Sequence, residues 1–228
     1  MLVEPKQIDL HGRKQFRIIP STYPPINFFE DLVDASEMDT LLEIESLTNE
    51  RLRQEVGDIF LVPNEDRVSG PGSTVVMAAF THIGRPTRFT DGSFGVYYAS
   101  LTLETAIRET VHHREKFLAA TRQPCCEITM RTYEGKILKA FDDVRSEYYE
   151  SLHHPEHYQA SQVFAKHRRE NKSWGLIYNS VRHEGGENIA ALRPTAVSIP
   201  MQTRHLRYVW DKQRITEVFD ANLILKLG

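Results

Sequence analysis

The sequence of 228 residues has few cysteines, no long apolar run and little net charge. Its two cysteines, Cys125 and Cys126, are adjacent. A disulfide between neighbouring residues is strained, so we expect free thiols in a reducing compartment, the cytoplasm. Nothing near the roughly eighteen consecutive apolar residues of a membrane helix occurs, so no membrane span is expected. The net charge of −3 at pH 7 gives no reason to expect direct binding of nucleic acid.

Several common signatures are also missing. The first residues carry charges throughout and no apolar core, so a secretory signal is not expected. Gly70-Pro71-Gly72 lacks the third glycine of a dinucleotide fingerprint and the Gly-Lys-Ser/Thr ending of a phosphate loop, which disfavours a Rossmann dehydrogenase. His153, His154 and His157 have a spacing that metal ligands use. However, Pro155 interrupts the turn and no further ligand completes a set, so no metal is expected.

What is present is an ordinary globular composition, with 40% hydrophobic and 26% charged residues. There is no repeat, low-complexity run or flexible linker, so we predict a single domain over residues 1–228. Residues up to about 75 supply a strand at 15–19 and a helical extension at 36–56, and residues from about 76 onward supply the core unit. The remaining elements are predicted as an extended piece at 59–62, a helix at 73–80, a hairpin of strands at 126–130 and 136–140, a helix at 159–171, and strands at 174–178, 189–192, 206–210 and 216–219.

The stretch over residues 85–114 holds the densest combination of reactive side chains. Thr102 is a plausible N-cap, because its hydroxyl can accept a hydrogen bond from the free amides of a first helical turn. Glycine accepts a positive φ, so a tight turn is expected where Gly92 follows Asp91. The predicted order is a strand at 88–90, a turn at 91–92, a strand at 94–99 and a helix from Thr102 to Ala120.

Arg88, Tyr98 and Glu109 fall on consecutive elements of this stretch, and consecutive elements tend to be spatial neighbours. The planar fork of an arginine suits a phosphate, because it can donate two parallel hydrogen bonds. A carboxylate suits a sugar carbon that becomes positive as its leaving group departs. Together these groups suit a dinucleotide that is broken at a glycosidic bond. The plain alternative is a surface ion pair beside ordinary strand aromatics, and these residues alone leave both interpretations open.

The chain resembles the RES-domain family through four segments in the family order. The resemblance runs from about residue 16 to the C-terminus and is strongest over residues 85–114. It implies an α+β, ADP-ribosyltransferase-like fold with small mixed or antiparallel sheets flanked by helices and an N-terminal helical extension. The four segments are Arg88-Phe89, Gly95-Val96-Tyr97-Tyr98-Ala99, Thr105-Ala106-Ile107-Arg108-Glu109 and Tyr178-Asn179-Ser180-Val181-Arg182.

The resemblance also implies a function. It indicates a bacterial toxin that degrades NAD by cleaving the nicotinamide–ribose bond, as an NAD glycohydrolase or NAD phosphorylase, and so arrests growth. A cognate Xre-type helix-turn-helix antitoxin would neutralise it. The alternative is a mono-ADP-ribosyltransferase that modifies a cellular protein. NAD is then the substrate and no cofactor is bound, while inorganic phosphate as co-substrate and a homodimer are left open.

Carried over residue by residue, the resemblance assigns roles to seven side chains. Arg17 is either a second cation for the dinucleotide or a strand-edge charge, and Arg182 either joins the anion pocket or pairs with Glu184. Ser180 has no evident His/Asp partner that would make it a nucleophile. The predicted catalytic residues are Arg88, Tyr98, Glu109 and Ser180, and the predicted NAD-binding residues are Arg17, Arg88, Tyr98, His113, Ser180 and Arg182. A charge run on the helix at 159–171 is either a solvated face or a docking patch for an acidic partner: Lys166, His167, Arg168 and Arg169.

Overall fold

The computed structural model of the protein describes residues 3–21 and 57–222. The helix predicted over residues 36–56, and with it the helical extension, lies outside the described residues. The N-terminal strand is present as predicted, slightly longer, at Lys14–Pro20. None of the described helices is both long and apolar enough to cross a membrane.

A large sheet passes through the described part of the chain. Its strands are β1 (Lys6–Asp9), β2 (Lys14–Pro20), β3 (Tyr97–Ser100), β4 (Cys126–Lys136), β5 (Ala140–Asp143), β6 (Gly175–Asn179), β7 (Glu187–Ala191), β8 (Met201–Trp210) and β9 (Ile215–Asp220). The nine strands lie in the order β1-β5-β6-β7-β3-β2-β4-β8-β9. The β5–β6 pair is parallel and the other neighbouring pairs among the described strands are antiparallel. The fold is therefore a mixed α/β one with one large, mostly antiparallel sheet, where small sheets were predicted.

Within the described residues, three α-helices pack on this sheet through apolar side chains. They are α1 (Thr74–Thr81), α2 (Leu103–Ala120) and α3 (Gln159–Glu170). Helix α2 begins where the sequence predicts, because the Thr102 hydroxyl accepts a hydrogen bond from the Thr105 amide. Ala106 of this helix is buried against Ile18 of β2 and Met130 of β4. This packing determines which face of α2 lies against the sheet.

Strands β3 and β7 separate the main core from the opposite face of the sheet. Side chains alternate along a strand, so Tyr97 and Ala99 point into the core cluster that includes α1, together with Ile189 and Ala191 of β7. The antiparallel register then sets Tyr98 opposite Ala190 and Ser100 opposite Asn188 on the other face. That other face carries the candidate site.

The predicted hairpin over residues 126–140 is wrong. The segments at 126–130 and 136–140 do not form a hairpin, because β4 is one continuous strand from Cys126 to Lys136. Gly135, expected in a turn, lies within that strand opposite Gln15. A Cβ atom at Gly135 would approach Gln15 Nε2 to 2.5 Å, so the glycine serves a close approach between strands.

Two further segments were predicted as extended and are not. Ile59–Leu61 is a short 3-10 helix, capped by the Asp58 side chain, which accepts from the Phe60 amide. Arg88 lies in a tight turn in which the Thr87 amide donates to the Thr90 carbonyl at 2.8 Å. Local hydrogen bonds of this kind compete with strand formation, which explains both differences.

Candidate active site

A pocket of about 500 Å³ opens on the face of the sheet that carries Tyr98 and Ser100. Pockets that hold small molecules and cofactors have volumes of this order. Ser180 lies directly behind the wall, hydrogen-bonded to Glu109. The other six of the seven predicted site residues line the pocket: Arg17, Arg88, Tyr98, Glu109, His113 and Arg182.

Glu109 projects from the middle of α2 to the floor of the pocket. Its Oε1 atom accepts two hydrogen bonds, from Ser180 Oγ at 2.6 Å and from Asn188 Nδ2 at 2.7 Å. Its Oε2 atom makes no hydrogen bond to any residue in the described ranges. Among the described residues the carboxylate is therefore held through one oxygen only, and Glu109 is one of the residues that line the pocket.

Ser180 follows the end of β6, and its hydroxyl is fully engaged. Oγ accepts hydrogen bonds from the backbone amides of Arg182 at 3.1 Å and His183 at 3.0 Å. A hydroxyl has two acceptor lone pairs and one proton, so the proton is directed to Glu109. Ser180 thus acts as a fixed donor to the carboxylate. It is not free to attack a substrate, nor to donate to one while these bonds persist.

Asn188 also lines the pocket and donates to Glu109, although the sequence did not lead us to predict it as a site residue. It is buried on β7, and its Oδ1 atom accepts a hydrogen bond from Ser100 Oγ at 2.6 Å. A signal was available, because Asn188 stands alone before the apolar run Ile189-Ala190-Ala191-Leu192. A buried amide in such a strand requires hydrogen-bond partners, and a catalytic carboxylate is one of the groups that can supply them.

Tyr98 supports the turn that presents Arg88. Its hydroxyl accepts a hydrogen bond from the Phe89 amide at 2.9 Å and shares one with Thr87 Oγ1 at 2.7 Å. Burial raises the pKa of Tyr98 to about 12, although both hydrogen bonds act in the opposite direction. The phenol therefore stays neutral. It is part of the pocket wall, with its hydroxyl committed to the turn.

Arg88 reaches from this turn to the opposite rim of the pocket. Its Nη1 atom donates to the carbonyl oxygens of Leu152 at 3.1 Å and His154 at 2.9 Å. The guanidinium also lies 4.7 Å from the centre of the Tyr158 ring. These partners are neutral, so they orient the cation and leave its charge available to an anionic ligand.

Arg17 is a second cation that lines the same pocket. Its Nη1 atom donates to the Tyr98 carbonyl at 2.9 Å, and its guanidinium lies 4.5 Å from the centre of the Tyr97 ring. Desolvation by burial lowers the pKa of Arg17, and Tyr97 opposes this. Its Nε atom is buried without a hydrogen-bond partner among the described residues. Arg17 is thus a pocket residue, and not merely a charge at a strand edge.

Two more cations meet a carboxylate at the mouth of the pocket. Lys116 Nζ lies 3.0 Å from Glu156 Oε2, and Arg182 Nη2 lies 3.6 Å from Glu156 Oε1. Arg182 also donates to the Pro155 carbonyl at 2.8 Å. Its acidic partner is therefore Glu156 and not Glu184. We call residues 152–158, which supply these contacts, the rim segment.

Histidines flank the mouth without forming a metal site. No group of three or more His, Cys, Asp or Glu in the described ranges is arranged to hold a metal ion. His154 Nδ1 accepts from the amides of Glu156 and His157, which shapes the rim segment. His113, one helical turn after Glu109, is exposed at the mouth. Desolvation by the surrounding wall lowers the pKa of His113, while the Glu109 carboxylate raises it.

The charge run on α3 is not a uniform surface patch. Arg168 is buried and donates to Asp142 at 2.7 Å, and its other end pairs with Glu4. Arg169 covers the ring of Phe94 at 5.1 Å. Arg168 therefore belongs to an ion pair in the core, and residues 166–169 do not form one continuous docking surface.

Comparisons with known proteins agree with this arrangement of motifs. The family model for the RES domain matches residues 65–211. This is more than half of the sequence, and the chain therefore belongs to the RES domain family, as the resemblance indicated. The uncharacterized protein y4oC of Sinorhizobium fredii (strain NBRC 101917 / NGR234) is 28% identical over 205 residues, which cover 90% of this chain and 86% of that protein. The crystal structure of the M. tuberculosis MbcT–MbcA toxin–antitoxin complex matches with a TM-score of 0.35 and 9% identity, covering 66% of this chain and 91% of that chain.

Proposed function

We propose that this RES-family protein is a toxin that cleaves the nicotinamide–ribose bond of NAD. One observation carries the proposal: Glu109, with one carboxylate oxygen that makes no hydrogen bond among the described residues, lines a pocket that is also lined by Arg17, Arg88 and Arg182. An anionic dinucleotide needs cations along its pyrophosphate and a carboxylate at the carbon that becomes positive. The pocket supplies both kinds of group.

In the proposed reaction the pyrophosphate lies near Arg88 and Arg17. The C–N bond between ribose and nicotinamide lengthens, and the positive charge that develops on the ribose is stabilised by Glu109. Nicotinamide leaves as a neutral base with the electron pair of the C–N bond, and water or inorganic phosphate forms a new C–O bond at the same carbon. When water attacks, its proton is released to solvent. Ser180 is engaged in three hydrogen bonds, which favours this route over a covalent intermediate on its hydroxyl. Positioning and electrostatics supply most of the acceleration.

The proposal includes a protein partner, because an enzyme that consumes NAD arrests the cell that makes it. Following the RES resemblance, we propose that a cognate Xre-type antitoxin blocks the pocket and that the toxin acts in the cytoplasm. We also propose, on the same basis, that the chain is a single domain with a fold related to that of ADP-ribosyltransferases. Co-expression with the product of the neighbouring gene tests the partner. Restored growth and co-purification are expected, and growth arrest that persists despite co-expression would contradict this part of the proposal.

One assay tests the activity and identifies the acceptor. The purified protein is incubated with NAD, with and without inorganic phosphate, and the products are identified by mass. Nicotinamide with ADP-ribose indicates hydrolysis, and nicotinamide with a phosphorylated ADP-ribose indicates phosphorolysis. A label transferred from NAD to a protein band indicates mono-ADP-ribosylation instead. Release of nicotinamide no faster than by the Glu109→Gln variant would overturn the proposal.

A further inference from the structure

The pair of Ser100 and Asn188 is fixed by the register of two strands far apart in the sequence. Ser100 on β3 lies directly opposite Asn188 on β7, and the two side chains are 3% and 2% exposed. Ser100 Oγ donates to Asn188 Oδ1 at 2.6 Å. An ionised carboxylate only accepts hydrogen bonds, so Glu109 requires the Nδ2 end of the Asn188 amide to face it. The Ser100 hydroxyl then holds the Oδ1 end and fixes the plane of the amide.

The amide in this orientation completes a saturated environment around one carboxylate oxygen. Glu109 Oε1 receives Asn188 Nδ2 at 2.7 Å and Ser180 Oγ at 2.6 Å. Hydrogen bonds to a carboxylate are short and strong, so both donors resist displacement. In the reversed orientation the amide oxygen would face the carboxylate, and the two oxygens would repel each other. The Ser100 hydroxyl therefore acts on Glu109 through Asn188.

We propose that Ser100 and Asn188 are positioning residues that select Glu109 Oε2 as the oxygen that meets the substrate ribose. This inference rests on the proposed cleavage of NAD. Oε1 is held by two donors, whereas Oε2 has no hydrogen bond within the described ranges, and the Glu109 side chain lines the pocket. Without Asn188 the carboxylate keeps Ser180 as its sole described partner, and it can rotate about its last torsion.

Kinetics of single and double variants test this assignment. Asn188→Ala should lower kcat about ten- to hundredfold, the usual effect of losing a hydrogen bond to a charged group, while KM for NAD changes by less than about threefold. Ser100→Ala should lower kcat less, because the amide loses the group that holds its Oδ1 end and keeps its Nδ2 donor to Glu109. The double variant should behave like Asn188→Ala alone, because Ser100 acts through Asn188.

The pH dependence of kcat in the isosteric variant Asn188→Asp distinguishes a positioning role of Asn188 from a purely structural one. The new carboxylate would repel Glu109 Oε1 at neutral pH and, once protonated, could donate a hydrogen bond in place of the amide. The kcat relative to wild type should therefore recover as the pH falls. The titratable groups around position 188 are Glu109 and, opposite it on β6, Tyr178, and both are retained in the variant. Asn171→Asp, at the C-terminal cap of α3, is the matched control and should follow the wild-type pH profile.

The outcomes separate this inference from the proposed function. Thermal melting identifies variants that fail to fold, and if Asn188→Ala is one of them, Asn188→Asp and Ser100→Ala carry the test. Turnover by the wild type together with an unchanged kcat in these folded variants would defeat the positioning role and leave the proposed function intact. A wild-type protein that releases no nicotinamide would defeat the proposed function and, with it, the assignment of Oε2.

Discussion

The floor and the rim of the pocket are built on different principles. On the floor, Glu109 is held by Ser180 and Asn188, which lie on or directly after strands of the sheet, at distances of 2.6 and 2.7 Å. At the rim, residues 152–158 contact the cations of the pocket through backbone carbonyls, through the ring of Tyr158 and through Glu156, whose side chain is 55% exposed. The floor is thus fixed by strand register, whereas the contacts of the rim with these cations include an exposed ion pair.

This difference predicts a division of effects between the two regions. Fixed donors around a carboxylate are pre-organised, so they need no rearrangement when charge develops on the substrate. Exposed ion pairs are screened by salt and contribute little to stability. Changes on the floor should therefore act mainly on kcat. Changes at the rim should act mainly on the affinity for NAD.

The largest effect is expected from Glu109→Gln, which keeps the shape of the side chain and removes its charge. The rate of nicotinamide release should fall on the order of a hundredfold or more, because the developing positive charge loses its counter-charge. Melting temperature and the KM for NAD should change much less. A variant that consumed NAD at the parental rate would show that the floor does not carry the chemistry.

Arg88→Ala should come next, because Arg88 is the cation that joins the floor to the rim. Its guanidinium holds the carbonyl oxygens of Leu152 and His154 and remains available to a phosphate. We expect the KM for NAD to rise about tenfold, since a charge-assisted hydrogen bond contributes roughly that factor, with a smaller change in kcat. Arg169→Ala, on α3, is the matched control. An unchanged KM for NAD would identify Arg88 as purely structural.

The sequence predicts the local part of this site well. The position of α2, its cap at Thr102 and the proximity of Tyr98 to Glu109 follow from helical spacing and short connections. Tyr98 and Glu109 lie close in the chain, so their placement depends on local structure.

The long-range part could not be predicted in the same way. Asn188 reaches Glu109 because β7 pairs with β3, and Glu156 reaches Lys116 because the rim segment crosses to α2. Strand pairing between distant segments depends on global packing, and no local pattern specifies it. The same reason explains why one large sheet was not foreseen. The continuous strand β4 is stabilised on both sides by β2 and β8, and this pairing outweighs the turn that was expected between residues 130 and 136.

A smaller effect is expected from Glu156→Gln at the rim. Lys116 and Arg182 now share this carboxylate, which competes with any anionic group that a ligand brings to the mouth. Its removal should lower the KM for NAD about two- to threefold at low salt, and the difference should fade as salt is added. Glu150→Gln makes the same charge change on an exposed neighbour and should leave KM unchanged. A higher KM in Glu156→Gln would mean that the ion pair organises the site.

The smallest effect concerns the attachment of the rim segment to β6 through His153. Its Nδ1 atom lies 3.0 Å from the Tyr149 carbonyl and its Nε2 atom 3.2 Å from the Asn179 amide. Only a neutral imidazole with the proton on Nδ1 satisfies both partners, because a carbonyl accepts and an amide N–H donates. Burial lowers the pKa of His153; the Tyr149 carbonyl raises it and Arg88 lowers it further.

A pKa below the unfolded value of about 6.5 sets the sign of the pH dependence. The unfolded chain binds the proton more readily, so the contribution of His153 to stability is complete above about pH 6.5 and declines as the pH falls toward the folded-state pKa. The free energy of unfolding of wild type and His153→Gln, measured from pH 7 to pH 5, should therefore converge as the solution becomes more acidic. His112 and His113, whose pKa values are also lowered, remain in both proteins and cancel in this comparison. If the difference in the free energy of unfolding widened toward pH 5, the rim segment would be held by a protonated His153. The attachment of the rim segment would then be electrostatic, and not a pair of hydrogen bonds to a neutral imidazole.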